Sequence, residues 1–278
     1  FQIDLAALLP LACLTKDGFN YHRVLLFTTL WPLAFFAVVA VLERVSRIFI
    51  KRHPEATAKA SKSAVHVRVM VMTLSFFIFT SVSNVVFSTF NCELFDDGAR
   101  LLKADYSIDC DSGVHQMYEV YAACFVFVYP LGIPLGYYMM LRNVRDHLTL
   151  QHEDYQGKTF EEQIALRDKS EKIKHLRFLY FQYRPGMWAW EIFQCFHKVV
   201  LTGLLMFVLD GTALQIVIGI FVTFVIFGMF SYFQPFLDPK ETILEVLALF
   251  AIFICLLLGL MFKTGIAGDG VDSELPSK

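Results

Sequence analysis

The chain has 278 residues, is 56% hydrophobic with 29 phenylalanines, and carries a formal net charge of −2. Soluble domains are about 45–50% apolar, and several runs here reach the ~20 residues that cross a bilayer, so the composition excludes a soluble globular protein. The near-neutral total says little, because in a membrane protein the placement of Lys and Arg matters more than their sum.

The first fourteen residues, FQIDLAALLPLACL, are too short to cross and contain Asp4 and Pro10. They read as an interfacial helix within an extracellular or interfacial segment, residues 1–22. No basic n-region with a cleavage site follows Phe1, so upstream sequence is expected. Residues 23–278 read as a transmembrane helical domain. Six apolar runs follow in order: Val24 to Leu42, Val69 to Phe90, Tyr118 to Leu141, Met187 to Leu209, Ala213 to Phe233 and Ile243 to Phe262. Their all-round apolar character predicts helices, since lipid offers no partners to an open sheet. The expected fold class is all-α, a polytopic transmembrane bundle of six spans. A seventh span beyond Lys278 is expected, because an even count leaves both ends outside.

Seven Lys and Arg fall in 43–68, nine in 142–186, and Lys240 joins them, together seventeen of the 24. The positive-inside rule makes these loops cytoplasmic and puts loop 91–117 outside. That loop contains FNCELFDDGARLLKADYSIDC, with Glu93, Asp96, Asp97, Asp105 and Asp109 between two cysteines. In an oxidising space Cys92 and Cys110 are expected to form a disulfide; Cys13, on the same side, either competes for one of them or pairs with upstream sequence. The carboxylates match no calcium-loop spacing, and no metal or cofactor is expected. On the cytoplasmic side, TFEEQIALRDKSEKIKHLRFLYFQY predicts a surface helix running into span four, with acids early and bases late.

Span four carries Glu191, Gln194, Cys195 and Lys198 at i, i+3, i+4 and i+7, one polar stripe on a helix. Lys198 lies about 16 Å along from Met187 at 1.5 Å per residue, near mid-bilayer, where an ionisable group faces the bundle or water. The stripe reads either as an ion path or gating contact, or as a structural charge pair. Span three contains YPLGIPLGYY, whose Pro130 and Pro134 remove donors one turn apart and predict a kink. Gly132 and Gly136 there predict close approach of a neighbour. Thr80, Ser83 and Asn84 in span two predict interhelical hydrogen bonds. Trp188 and Trp190 read as an interfacial belt, and Glu241 and Glu245 as acids at a helix N-terminus. Phosphate loops, zinc spacings, nucleophile elbows and nucleic-acid signatures are missing, so neither an enzyme nor a nucleic-acid partner is expected.

Six phrases, in order, are FQIDLAALLPLACL, TTLWPL, FNCELFDDGARLLKADYSIDC, VYPLGIPLGYYMML, LRFLYFQYRPGMWAWEIF and YFQPFLDPKETILEVL. They resemble the TRP-like C-terminal membrane region of large protist and algal surface proteins, which carry EGF-like or other cysteine-rich ectodomains. DYSIDC and YRPGMWAWE are the most specific. The resemblance implies a cation channel, sensory or mechanically gated, in a plasma or other cell-surface membrane. The linkers between spans four, five and six are too short for a re-entrant pore loop, which would have to follow span six. The alternative is a non-conducting anchor for a large extracellular or filament-forming ectodomain. A transporter or receptor is a third reading with little support. The expected partners are the bilayer, an extracellular protein or the chain's own upstream ectodomain, and further copies in a homo-oligomer.

Overall fold

The computed structural model describes residues 20–52, 57–151, 153–170, 173–203 and 211–265; the expected interfacial helix in the first fourteen residues, Cys13 and the far end of span four lie outside them. Eight helices longer than one turn are present among these residues: α1 Tyr21–Arg52, α2 Thr57–Ser88, α3 Gly113–Val128, α4 Gly132–Asn143, α5 Phe160–Lys169, α6 Trp190–Thr202, α7 Ala213–Phe233 and α8 Pro239–Lys263. Five segments are long and apolar enough to cross a membrane: Tyr21–Ser46, His66–Ser88, Gly113–Asn143, Ala213–Phe233 and Pro239–Lys263. The fold is mostly helical but not purely so. Residues 92–109 form an antiparallel sheet of β1 Cys92–Leu94, β2 Arg100–Leu102 and β3 Asp105–Asp109, with a bulge between Leu101 and Leu102. Gly98 turns β1 into β2 with φ +84°, a conformation glycine adopts without steric cost.

Much of the expected loop 43–68 is helix instead. Both α1 and α2 are 32 residues, about 48 Å at 1.5 Å per residue, against a hydrocarbon core of ~30 Å. Lys, Arg and Ala are good helix formers, so the backbone stays helical where its composition turns polar. At the other end α1 begins at Tyr21, so the boundary expected after residue 22 falls inside the helix. The surface helix is shorter than expected. A capping box of Thr159 and Glu162 starts α5, which ends at Ser170, and single helical turns at 174–176 and 177–180 replace its continuation.

Span three breaks in two at Tyr129–Leu131. Pro130 has no N–H for the Val126 carbonyl; the Leu131 N–H donates to it instead, at 3.2 Å, a one-residue slip of the ladder. Pro134 falls in the first turn of α4, where a helix N–H has no intrahelical partner to lose. Gly132 is required by this break and not by a neighbouring helix. A Cβ there would lie 2.7 Å from the Phe127 carbonyl oxygen, whereas one at Gly136 would meet nothing within 4 Å.

Four apolar clusters hold the bundle. Leu25, Ile78, Val82, Val86, Ala122 and Tyr129 join α1, α2 and α3. Phe79, Phe87, Cys195 and Val199 join α2 to α6, and Gly203 packs so closely on the Phe87 ring that a Cβ would overlap it. Tyr137, Leu141, Leu148, Ile173, Leu176 and Leu179 seat the α4–α6 connection beneath the helices. Trp190, Ile226, Phe230, Phe236 and Leu249 join α6, α7 and α8. Trp190 is therefore core, packed on Phe193, Phe230 and Phe233, and not part of a belt. The α7–α8 hairpin turns through Gln234–Asp238, which is hydrogen-bonded to the segment before α6: Arg184 N–H donates to Pro235 and Leu237 N–H to Gln182. Polar residues on α2 divide. Ser75 bonds across to the Tyr137 hydroxyl at 2.6 Å, while Ser83 bonds back to the Phe79 carbonyl of its own helix.

Candidate functional site

Between α2, α6 and α8 lies a cavity of about 510 Å3. One wall is α6, where Glu191, Gln194 and Lys198 all face inward; Cys195 turns instead into the apolar contact with α2. Glu241 and Glu245, one turn apart on α8, face them from the opposite wall. The end wall is Gln182 and Tyr183 of the connection, and Phe76, Phe77, Phe178 and Phe236 supply aromatic surface. Phe77, Glu241 and Leu244 are exposed and form the mouth.

Glu191 is buried, at 4% exposure. Its Oε2 accepts from the Tyr183 hydroxyl at 2.6 Å and from Gln182 Nε2 at 3.2 Å. Burial and the adjacent Glu191 carboxylate push the Tyr183 phenol well above its usual range, so Tyr183 remains a donor at any physiological pH. Gln194 Nε2 donates to Glu245 Oε1 at 3.4 Å, and its own Oε1 is buried with no partner among the described residues. Lys198 Nζ lies 4.9 Å from the centre of the Phe76 ring, within cation–π range. Among the described residues three carboxyl side chains thus share the lining with one lysine.

The end wall is fixed from behind. Arg167 of α5 is 1% exposed and reaches the carbonyls of Phe181 and Tyr183 at 3.4 Å each. It also pairs with Asp168 at 3.1 Å and lies 5.2 Å from the Tyr180 ring centre. A guanidinium suits this place because its planar fork reaches several acceptors at once.

A second polar cluster lies where α1, α3 and the sheet meet. The Cys92–Cys110 disulfide is formed and closes the sheet. Tyr21 N–H donates to Asp105 Oδ2 at 3.1 Å, and the Tyr21 hydroxyl donates to the Val85 carbonyl. Burial acts to raise the Asp105 pKa, but hydrogen bonds from Ser107 and Tyr21 and the nearby His22 together hold it below the usual carboxylate value. His22 Nε2 and His115 Nδ1 are 3.0 Å apart, and His22 stacks on Tyr118 at 4.0 Å. The two sulfurs and a His115 nitrogen lie within 4.8 Å of one another, but sulfurs joined to each other offer no thiolate to a metal. The loop carboxylates Asp97 and Asp109 accept backbone N–H groups of the loop, and Asp111 pairs with Arg100.

Sequence reasoning placed Glu191, Gln194 and Lys198 on one face but missed Glu241, Glu245, Gln182 and Tyr183. The usable signal was the i, i+4 spacing of Glu241 and Glu245, with the second acid already inside an apolar run. A helix dipole accounts for the first acid only, since that effect fades within the first turn.

Compared with models of protein families, with curated proteins and with solved structures, the chain matches none.

Proposed function

We propose that this chain is a channel-type membrane domain and that the charged cavity between α2, α6 and α8 is part of its cation path. The observation that carries the reading is one cavity lined by Glu191, Glu241, Glu245 and Lys198 together with a buried Gln194 oxygen that has no partner among the described residues. Ionisable groups inside a membrane mark ion and substrate paths, and carboxylate linings select cations. In this reading the segment that holds α6 makes a sixth crossing. Gly203 lies on Phe87 near the end of α2, whereas α7 ends beside Tyr183 at the other face. The face with most of the Lys and Arg is cytoplasmic, and the membrane is a cell-surface one. The resemblance to TRP-like regions agrees with this reading and suggests sensory or mechanical gating. In this reading several copies arranged around an axis complete the path.

The test is cation flux into liposomes carrying the protein, with and without osmotic tension. Tension-dependent flux that Glu245→Gln lowers and Lys198→Met alters is expected. Liposomes that stay tight, with protein that retains its disulfide, contradict the reading.

A second reading, a membrane anchor, is favoured by a different observation. The stapled sheet holds the first turn of α1 through Asp105 and Tyr21, so pull on an upstream ectodomain would pass into the sheet and α2. Tight liposomes with an intact sheet would favour it.

A further inference from the structure

We propose that the cavity is a binding site for organic ammonium compounds, and that the Lys198 ammonium is a tethered occupant of that site. The inference rests on the reading of this cavity as the working site, and it names the ligand class.

Cavity size comes first. About 510 Å3 is far more than a bare metal ion fills and lies in the range of small-molecule pockets. The described residues also include no set of three acidic, His or Cys ligand atoms here as close as those at Cys92, Cys110 and His115, so the carboxylates are spread apart and not gathered on one ion. The walls alternate two kinds of surface. Glu191, Glu241 and Glu245 supply carboxyl groups, and Phe76, Phe77, Phe178 and Phe236 supply ring faces. An alkylammonium ion matches both, because its charge is spread over a body that packs against rings.

The buried Gln194 oxygen without a partner adds an acceptor for an N–H donor. An orphaned buried acceptor costs free energy until a donor arrives. The molecule already carries its own example: Lys198 Nζ over the Phe76 ring is a primary ammonium on an alkyl stem placed against this wall. Phe77 and Leu244, both apolar and exposed, border the mouth and suit the alkyl part of such an amine.

The experiment uses the full chain in nanodiscs, titrated by calorimetry with tetraethylammonium and, separately, with butylammonium, against potassium at equal ionic strength. Saturable binding at one site is expected for at least one of the two amines and not for potassium. Glu245→Gln should weaken it at least tenfold. Lys198→Met should tighten it by a similar factor, because the tethered competitor is gone, and Lys198→Gln repeats the test with a polar replacement. A purely structural lysine predicts weaker or unchanged binding in both variants, which would overturn the proposal. So would non-saturable titrations in the wild type and both Lys198 variants, provided each retains the Cys92–Cys110 bond. Flux without amine binding removes this inference and leaves the channel reading; amine binding without flux does the reverse.

Discussion

Tyr180 and Tyr183 make a matched pair for testing the end wall of the cavity. Both are almost fully buried, at 1% and 0% exposure, and both sit in the segment leading to α6. Removing each hydroxyl changes one atom and keeps the ring: Tyr183 keeps its stack on Phe236 at 5.2 Å, and Tyr180 keeps its contact with Arg167. The hydroxyls differ in one respect. That of Tyr183 donates to Glu191 at 2.6 Å and accepts from Gln182 at 2.9 Å, while that of Tyr180 has no partner among the described residues. A buried polar group left unpaired costs about 1–3 kcal/mol. Tyr183→Phe strips a partner from Glu191 and from Gln182 and should therefore destabilise by about 1–3 kcal/mol. Tyr180→Phe should be neutral or stabilising by up to about 1 kcal/mol, since part of any gain is lost to relaxation. Unfolding in one fixed detergent, followed by the emission of the three tryptophans, Trp31, Trp188 and Trp190, measures both. Equal losses in the two variants would refute the hydrogen-bond argument, and a larger loss at Tyr180 would reverse it.

Three further outcomes are expected. Gly132→Ala should cost about 1–3 kcal/mol by forcing the Phe127 carbonyl aside, while Gly136→Ala should be neutral or stabilising; thermal melts of the two variants compare them directly. Reducing the Cys92–Cys110 bond, which spans 18 residues, should cost about 3 kcal/mol, and hydrogen exchange of the Tyr21 amide should rise with it. His175, beside the Glu43–Arg68 ion pair, has its pKa lowered by burial and then by Arg68, with Glu43 opposing. The unfolded chain then takes up this proton at higher pH than the folded one, so His175 costs no stability above about pH 6.5. It costs progressively more as pH falls towards its folded pKa; the wild type should lose more stability than His175→Gln between pH 7 and pH 5, and equal slopes would count against this.

Elements governed by local physics were legible in the sequence. Run length marked the five described spans, because the bilayer sets a minimum apolar length, and compartment reasoning marked Cys92–Cys110. Pro130 marked the break in span three for a reason internal to one helix. Where α1 and α2 end was not legible, because Lys, Arg and Ala are good helix formers and continue both helices past their apolar runs. The role of Gly132 was misassigned for a related cause: the crowding comes from its own chain at Phe127. The cavity was half legible. Spacing on α6 gives a face, but which helix meets that face depends on the turn at Gln234–Asp238 and its bonds to Gln182 and Arg184. No pattern in a single segment encodes that pairing, so Glu241 and Glu245 looked like ordinary helix-start acids.

The central claim is that the cavity is open to cations from the face that carries the α4–α6 connection. Gln194→Cys, in a background where Cys13, Cys124, Cys195 and Cys255 are replaced and Cys92–Cys110 is kept, reports on it. The rate of modification by a membrane-impermeant, positively charged thiol reagent is measured from each side of sealed liposomes. The account predicts rapid modification from the α5 side only, slowed when Glu245→Gln is added. Protection from both sides, with Asp97→Cys on the sheet reacting normally from its own side, would contradict it.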